Sequence, residues 1–356
     1  MRKYVLYLLI VVNLFANFLN SSESLFAQQY YYTTNVEHLF THCLIAHPDI
    51  AFSHNNTMSK HYDNDCITQY EFKQILQELY KNNYILVDIN KIFEENNGKI
   101  QKKKVKVPVG KKPIILSFDD VNYDTKKLYK GMVDKIALDE NQNFCTLTTI
   151  NGKQQKSYDN EFIPILENFI KKHPDFSMDG ARATINVTGY DGILGYRTSK
   201  NNTKNRNEEI EKVKPIIKKL KQNGWTFASH SYGHYHMKKI SYEHFLKELE
   251  NFKNEVTPLI GETKIYVYPY GEWEVYSNGE ISAKHKALED YGFRLFCGVG
   301  MQQFFNYLPT KCPQKVLFMD RKVMDGNSLR TQEIALKPFF STSKVYDYAT
   351  RPSPKA

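Results

Sequence analysis

Two adjacent carboxylates and two histidines four residues apart are the residues of this sequence best suited to chemistry. Asp119 and Asp120 close the apolar run that starts at Ile114 and passes through Ser117 and Phe118. His230 and His234 follow the run Trp225-Thr226-Phe227-Ala228-Ser229. Adjacent acids at the end of a buried strand are costly to desolvate unless a cation compensates them. Two imidazoles and one carboxylate make a facial ligand set for zinc or another divalent transition metal, with positions left for water and substrate. Asp120 is the natural third ligand, because Asp119 then stays free as a base. The His-x-x-x-His spacing also occurs in helical HExxH zinc sites, but here Ser231 follows His230 where that motif has Glu.

These residues need strands to deliver them. Pro113 before the first run and the turn-prone Asn122 after it bound a buried strand. In α/β folds the carboxyl ends of strands are where ligands and metals are held. Thr68 with Glu71 makes a capping box, and Phe72, Ile75, Leu76 and Leu79 follow at helical spacing. Further helices are expected over 123–136, 161–172, 208–223, 242–256 and 283–290, and strands over 84–87, 183–190 and 264–268. Residues 138–160 read as an inserted hairpin, with Asn151-Gly152 as its turn. Strand and helix alternate, which predicts a mostly parallel sheet or barrel. The loop from Gly189 to Gly195 lacks the phosphate-loop pattern.

The 356 residues are 41% hydrophobic and 24% charged, the balance of a globular protein rather than a disordered or multi-spanning one. The net charge of +9 favours an anionic neighbourhood. Its one dense run, Lys102-Lys103-Lys104 with Lys106, lacks any nucleic-acid motif and reads as a solvated basic face, so no nucleic-acid partner is expected. Five cysteines without CxxC spacing exclude a zinc ribbon and a disulfide-built scaffold; a Cys297–Cys312 bridge stays open. Residues 1–27 carry Arg2 and Lys3, an apolar run from Tyr4 to Leu19, a Ser-rich patch and Ala27. This is the layout of a signal peptide, or of an uncleaved membrane tether through residues 4–19. Either way the expected location is secreted, or anchored on the outer face of the cell membrane.

The chain resembles the polysaccharide deacetylase (NodB-homology, carbohydrate esterase 4-like) family. Ser117-Phe118-Asp119-Asp120 looks like its TFDD motif, His230-Ser231-Tyr232-Gly233-His234 like H[ST]xxH, and Tyr268-Pro269-Tyr270-Gly271 like the motif ending in PYG. The resemblance implies an α/β fold, an irregular (β/α) barrel with fewer than eight strands, here with an inserted β-hairpin and an N-terminal extension. The expected organisation is a signal peptide or anchor at 1–27, a strand–helix–strand segment packing on the barrel at 28–104, a catalytic core at 105–330 and a C-terminal tail at 331–356. It also implies that Asp119 is the general base, that Asp120, His230 and His234 bind a divalent metal, and that the Tyr270 backbone N–H helps hold the oxyanion. Zinc is the first choice of metal, with cobalt, nickel and iron as alternatives. The implied reaction removes acetate from an N-acetylglucosamine polymer: poly-N-acetylglucosamine, peptidoglycan or a chitin-like chain.

Two departures qualify the resemblance. Val267 and Tyr268 stand where the family has an Arg before the Pro, and no His follows His285. The motif order is closest to that of secreted poly-N-acetylglucosamine deacetylases, which place the acid His in an early strand. Phe40-Thr41-His42 fits that place and makes His42 the candidate general acid, with His47 and His236 competing. Arg197, Arg294 and Arg321 are the candidates for supporting the base. The departures leave two other readings, a carbohydrate-binding protein that has lost turnover and an O-acetyl esterase.

Overall fold

The computed structural model describes residues 29–277, 280–300 and 315–352. The expected signal segment and Cys312 lie outside them. Among the described residues, seven parallel strands close into a barrel: β1 (Glu37–His42), β2 (Lys112–Asp119), β3 (Thr184–Val187), β4 (Thr226–Ser229), β5 (Ile265–Val267), β6 (Leu295–Val299) and β7 (Leu317–Val323). Each pairs with the next in sequence, and β7 pairs back with β1. The expected irregular barrel of fewer than eight strands is therefore the fold observed.

Side-chain alternation along β2 sorts its residues between two environments. Ile114, Leu116 and Phe118 join the outer core, while Ile115 joins the cluster that fills the barrel's interior. Ser117 and Asp119 share Ile115's face, so Asp119 points into the barrel mouth. The helices α1 (Gln69–Lys81) and α2 (Phe162–Lys172) cover the outer face. Phe72, Ile75, Leu76 and Leu79 of α1 are buried there, and the Thr68/Glu71 capping box forms as expected. Phe162 of α2 stacks on Phe118 with ring centroids 3.8 Å apart. Each such side chain contributes about 1.5–3 kcal/mol on burial, enough to fix which face of β2 looks inward. The helices α3 (Arg206–Gln222), α4 (Tyr242–Asn251) and α5 (Ala283–Tyr291) follow in the intervals after β3, β4 and β5.

The segment 28–104 does more than pack on the barrel. Its first long strand, β1, is one of the seven staves, inserted between β7 and β2. Of the rest, Tyr84–Leu86 pairs alongside β2, and the base is closed where Tyr30–Thr33 pairs with Val105–Pro108 and Phe93–Asn96 pairs with Lys99–Lys102. Phe93, Ile100, Val105 and Val107 plug the interior from below. A six-residue strand carrying His38 and His42 reads locally as a polar-interrupted run, so only barrel closure reveals its place.

The expected helix over 123–136 is absent. A single 3-10 turn at Thr125–Lys127 is followed by Tyr129 at φ 63 and Gly131 at φ 99. Gly131 lies so close to Ala51 that a Cβ would meet the Ala51 Cβ at 2.6 Å. Only glycine fits that approach and dihedral together. The inserted hairpin is present as a three-stranded antiparallel sheet of Lys135–Leu138, Phe144–Ile150 and Lys153–Ser157. Asn151 and Gly152 both take positive φ, as a type I′ turn demands. Nor is the C-terminal stretch a loose tail. Arg351 is buried and forks onto Glu71, with Nε to Oε1 at 2.6 Å and Nη2 to Oε2 at 2.7 Å. Cys43, Cys66, Cys145 and Cys297 are buried and free.

Glu161, fully buried just before α2, accepts the N–H groups of Phe162 at 2.7 Å and Leu44 at 3.2 Å. Burial pushes its carboxyl up to about 8, against the pull of those donors. Its folded value is therefore above the unfolded one of about 4.3. Between these values the native state holds a proton that the unfolded chain has released, so stability falls as pH rises through the window. Glu161→Gln is expected to flatten that fall, a difference of order 3 kcal/mol at pH 7. Urea unfolding at pH 5 and pH 7.5 measures it; equal slopes with pH in both proteins would contradict it.

Candidate metal centre and active site

The three expected ligands converge at the mouth of the barrel. Ligand atoms of Asp120, His230 and His234 lie within 4.8 Å of one another. The His230 Nε2 is 4.0 Å and the His234 Nε2 3.6 Å from Asp120 Oδ1. His230 leaves the end of β4 with Nδ1 on the Val267 carbonyl at 2.9 Å. That carbonyl can only accept, so Nδ1 carries the proton and Nε2 offers a lone pair. Burial lowers the His234 imidazole to about 4, which keeps it neutral and ready to coordinate. Burial opposes ionisation of Asp120, yet His234, Lys127 and His230 bring it down to about 2. Its Oδ1 is buried with no hydrogen-bond partner. An unpartnered anionic oxygen facing two imidazole lone pairs is the donor set a divalent cation needs, so the residues fit the expected metal.

The backbone is bent to this purpose. Asp120 (φ 57), Ser231 (φ 60), His234 (φ 54) and Tyr270 (φ 58) all take left-handed conformations that side-chain-bearing residues seldom adopt. Such positions cost about 1–3 kcal/mol each and persist where the surroundings over-determine them, commonly at functional sites. Gly233, between the histidines, packs against Tyr235, and its N–H donates to Glu248.

Asp119 sits 3.7 Å from His230 Nε2 but belongs to a different network. Arg321, from β7 and wholly buried, forks onto it with Nη1 to Oδ1 at 2.7 Å and Nη2 to Oδ2 at 2.9 Å. Asn186 of β3 donates to Oδ1 at 2.6 Å. Burial would raise this carboxyl, but Arg321 and then His230 hold it well below the usual carboxylate range. Arg321 also donates to the Gly298 carbonyl and to Ser117, and lies over the Phe40 ring at 4.0 Å. His38 completes the layer at 2.8 Å from Ser117 Oγ. Burial and Arg321 lower His38, keeping a second positive charge away from the guanidinium.

The Arg missing before Pro269 is thus replaced from β7, and of the three candidates Arg321 is the one on Asp119. Arg197 instead donates to the Tyr123 carbonyl, and Arg294 to those of Glu289 and Phe293. His42 is the register partner of Asp119 on β1, and its Nδ1 is fixed at 2.7 Å from the Asp65 carbonyl. With Nδ1 as donor, Nε2 is the nitrogen left for exchange with the site. His47 instead opens the short helix 48–51, tied by its N–H to the Gly131 carbonyl. His236 pairs with Glu272 at 2.9 Å and stacks on the Tyr270 ring at 3.8 Å. Tyr270 itself is 55% exposed at the mouth, beside His234. Gly271 takes φ 65 against Val299, which explains the Gly of that motif. Sequence reasoning missed Asn186, His38 and Lys127, the last with Nζ 3.7 Å from Asp124.

Residues 181–294 match the polysaccharide deacetylase family, a segment that holds His230, His234 and Pro269–Gly271. No curated protein matches the chain. Among solved structures, the Streptococcus pyogenes deacetylase PplD in complex with acetate is 16% identical, covering 86% of this chain and 100% of its own, with a TM-score of 0.43. The putative polysaccharide deacetylase BA0330 of Bacillus anthracis is 13% identical over 89% of this chain and 68% of its own, with a TM-score of 0.45. A family 4 carbohydrate esterase from Streptomyces lividans in complex with acetate is 18% identical over 47% and 74%, with a TM-score of 0.25. The family match bears out the resemblance read from the motifs. The match is to the family as a model over residues 181–294, about a third of the chain.

Proposed function

We propose that the chain removes N-acetyl groups from an N-acetylglucosamine-containing polysaccharide outside the cytoplasm, with a divalent cation held by Asp120, His230 and His234. The observation that carries this reading is the separation of the two carboxylates: Asp120 offers a bare oxygen to the imidazoles, while Asp119 is bound by Arg321 and Asn186. A cation in such a site supplies acidified water and a polarised carbonyl. Asp119, ionised at neutral pH, takes the proton from the attacking water. The Tyr270 N–H, on a backbone already turned to φ 58, donates to the developing oxyanion. His42 Nε2 delivers a proton to the departing amine, leaving acetate and a glucosamine unit. The exposed Tyr270 ring offers a face on which a sugar can stack.

Acetate release from chito-oligosaccharides, compared with acetylated xylan, tests the reading. Release from the amide substrate, lost on chelation and restored by zinc, is expected. Release from xylan alone would make the protein an O-acetyl esterase. No release from either, with metal bound, would leave a binding protein.

A further inference from the structure

The pole opposite the metal trio is basic and aromatic. Lys91, Lys103, Lys104 and Lys106 line a cavity of about 330 Å3 together with Val105 and Met178. It lies below the barrel, where Ala181 precedes β3 and Gly224 precedes β4. All four lysines are exposed, as is Tyr32 at 64%. The carboxylates nearby are already engaged or few: Asp88 accepts from Asn90 and Thr226, Glu94 is 3.7 Å from Lys103, and Asp179 adds one more. The chain also joins the fold here. The Gln29 carbonyl accepts from Val109 N–H at 2.8 Å, and Tyr31 Oη donates to the Lys111 carbonyl. Ten residues separate Leu19 from Tyr30, a reach of at most about 35 Å. An apolar segment 4–19 seated in a bilayer would hold this pole against it, with the metal trio facing away.

We propose that this basal pole docks on an anionic phospholipid surface, Lys103, Lys104 and Lys106 meeting the headgroup phosphates and Tyr32 entering the headgroup layer. Lysine suits that partner, being a point charge attracted to a diffuse field rather than a fork for one oriented anion. Tyrosine, apolar in body and polar at its tip, prefers the membrane–water interface. A polymeric glycan would ask instead for a groove of oriented amide and hydroxyl side chains, whereas lysines dominate the polar lining here. The inference is independent of the chemistry at the other pole, since binding is read without turnover.

The test uses the full chain and vesicles of phosphatidylcholine, with or without phosphatidylglycerol, in flotation. Insertion through residues 4–19 alone would carry only the preference due to Arg2 and Lys3, which the lysine variant below retains. The expected result is a partition on the order of a hundredfold higher into the anionic vesicles, from about fivefold per lysine. It should vanish near 1 M salt, where the Debye length is about 3 Å. Lys103→Gln with Lys104→Gln and Lys106→Gln should remove most of the preference and leave the urea unfolding midpoint unchanged, showing an intact fold. Equal partition into both vesicles, or a preference undiminished by the triple substitution, overturns the proposal. So does a triple variant that keeps the vesicle preference but loses a soluble polyanionic polysaccharide.

Discussion

Asp119→Asn is expected to lower kcat about 10³-fold, within the range a positioned general base contributes, while the protein still binds one zinc per chain. The amide keeps the shape and can accept from Arg321 or Asn186, but it cannot take the water's proton. It also strips the buried guanidinium of its counter-charge, and an unpaired buried charge costs on the order of 3–5 kcal/mol. Loss of activity and loss of stability are therefore expected together. Pairing the substitution with Arg321→Met separates them, because removing both charges should restore most of the stability and none of the turnover. Denaturant midpoints and acetate release on the same four proteins read both quantities. A double variant as unstable as the sum of the singles would show that the two residues do not act as a pair.

Arg321→Met alone makes the second large prediction, on pH. In the native protein the Asp119 carboxyl is depressed below its unfolded value of about 3.9. It therefore contributes stability that is present above that pH and is lost as pH falls through the folded value. Without Arg321 the burial that already opposes ionisation acts with less to offset it, and the carboxyl rises. The acid limb of kcat/KM should move upward by at least about one pH unit, each unit corresponding to about 1.4 kcal/mol. Acid unfolding should begin at higher pH as well. An acid limb unchanged in Arg321→Met would mean that Asp119 is not the group it reports.

Much of this candidate site could be read before any fold was known, because its residues fall in two short motifs. Asp119-Asp120 and His230 to His234 are local motifs at strand ends, and a local motif needs only its own strand to be right. The same holds for the Thr68/Glu71 capping box and the Asn151-Gly152 turn, both present as expected. Arg321 could not be chosen over Arg197 and Arg294, since its contact with Asp119 spans 202 residues. Only the pairing of β7 with β6 and β1 brings it inside. His38, Asn186 and the stave role of β1 were hidden for the same reason: a polar residue facing into a barrel looks locally like one facing solvent. The helix expected over 123–136 failed on a contact no periodicity records, the packing of Gly131 on Ala51.

Stoichiometric product analysis on an N-acetylglucosamine oligomer tests the central claim most directly. With zinc present, the protein should release one acetate for each new free amine, and Asp120→Asn should lose bound zinc and both products together. Turnover that persists in a metal-free Asp120→Asn protein, or acetate formed without a matching amine, would contradict it.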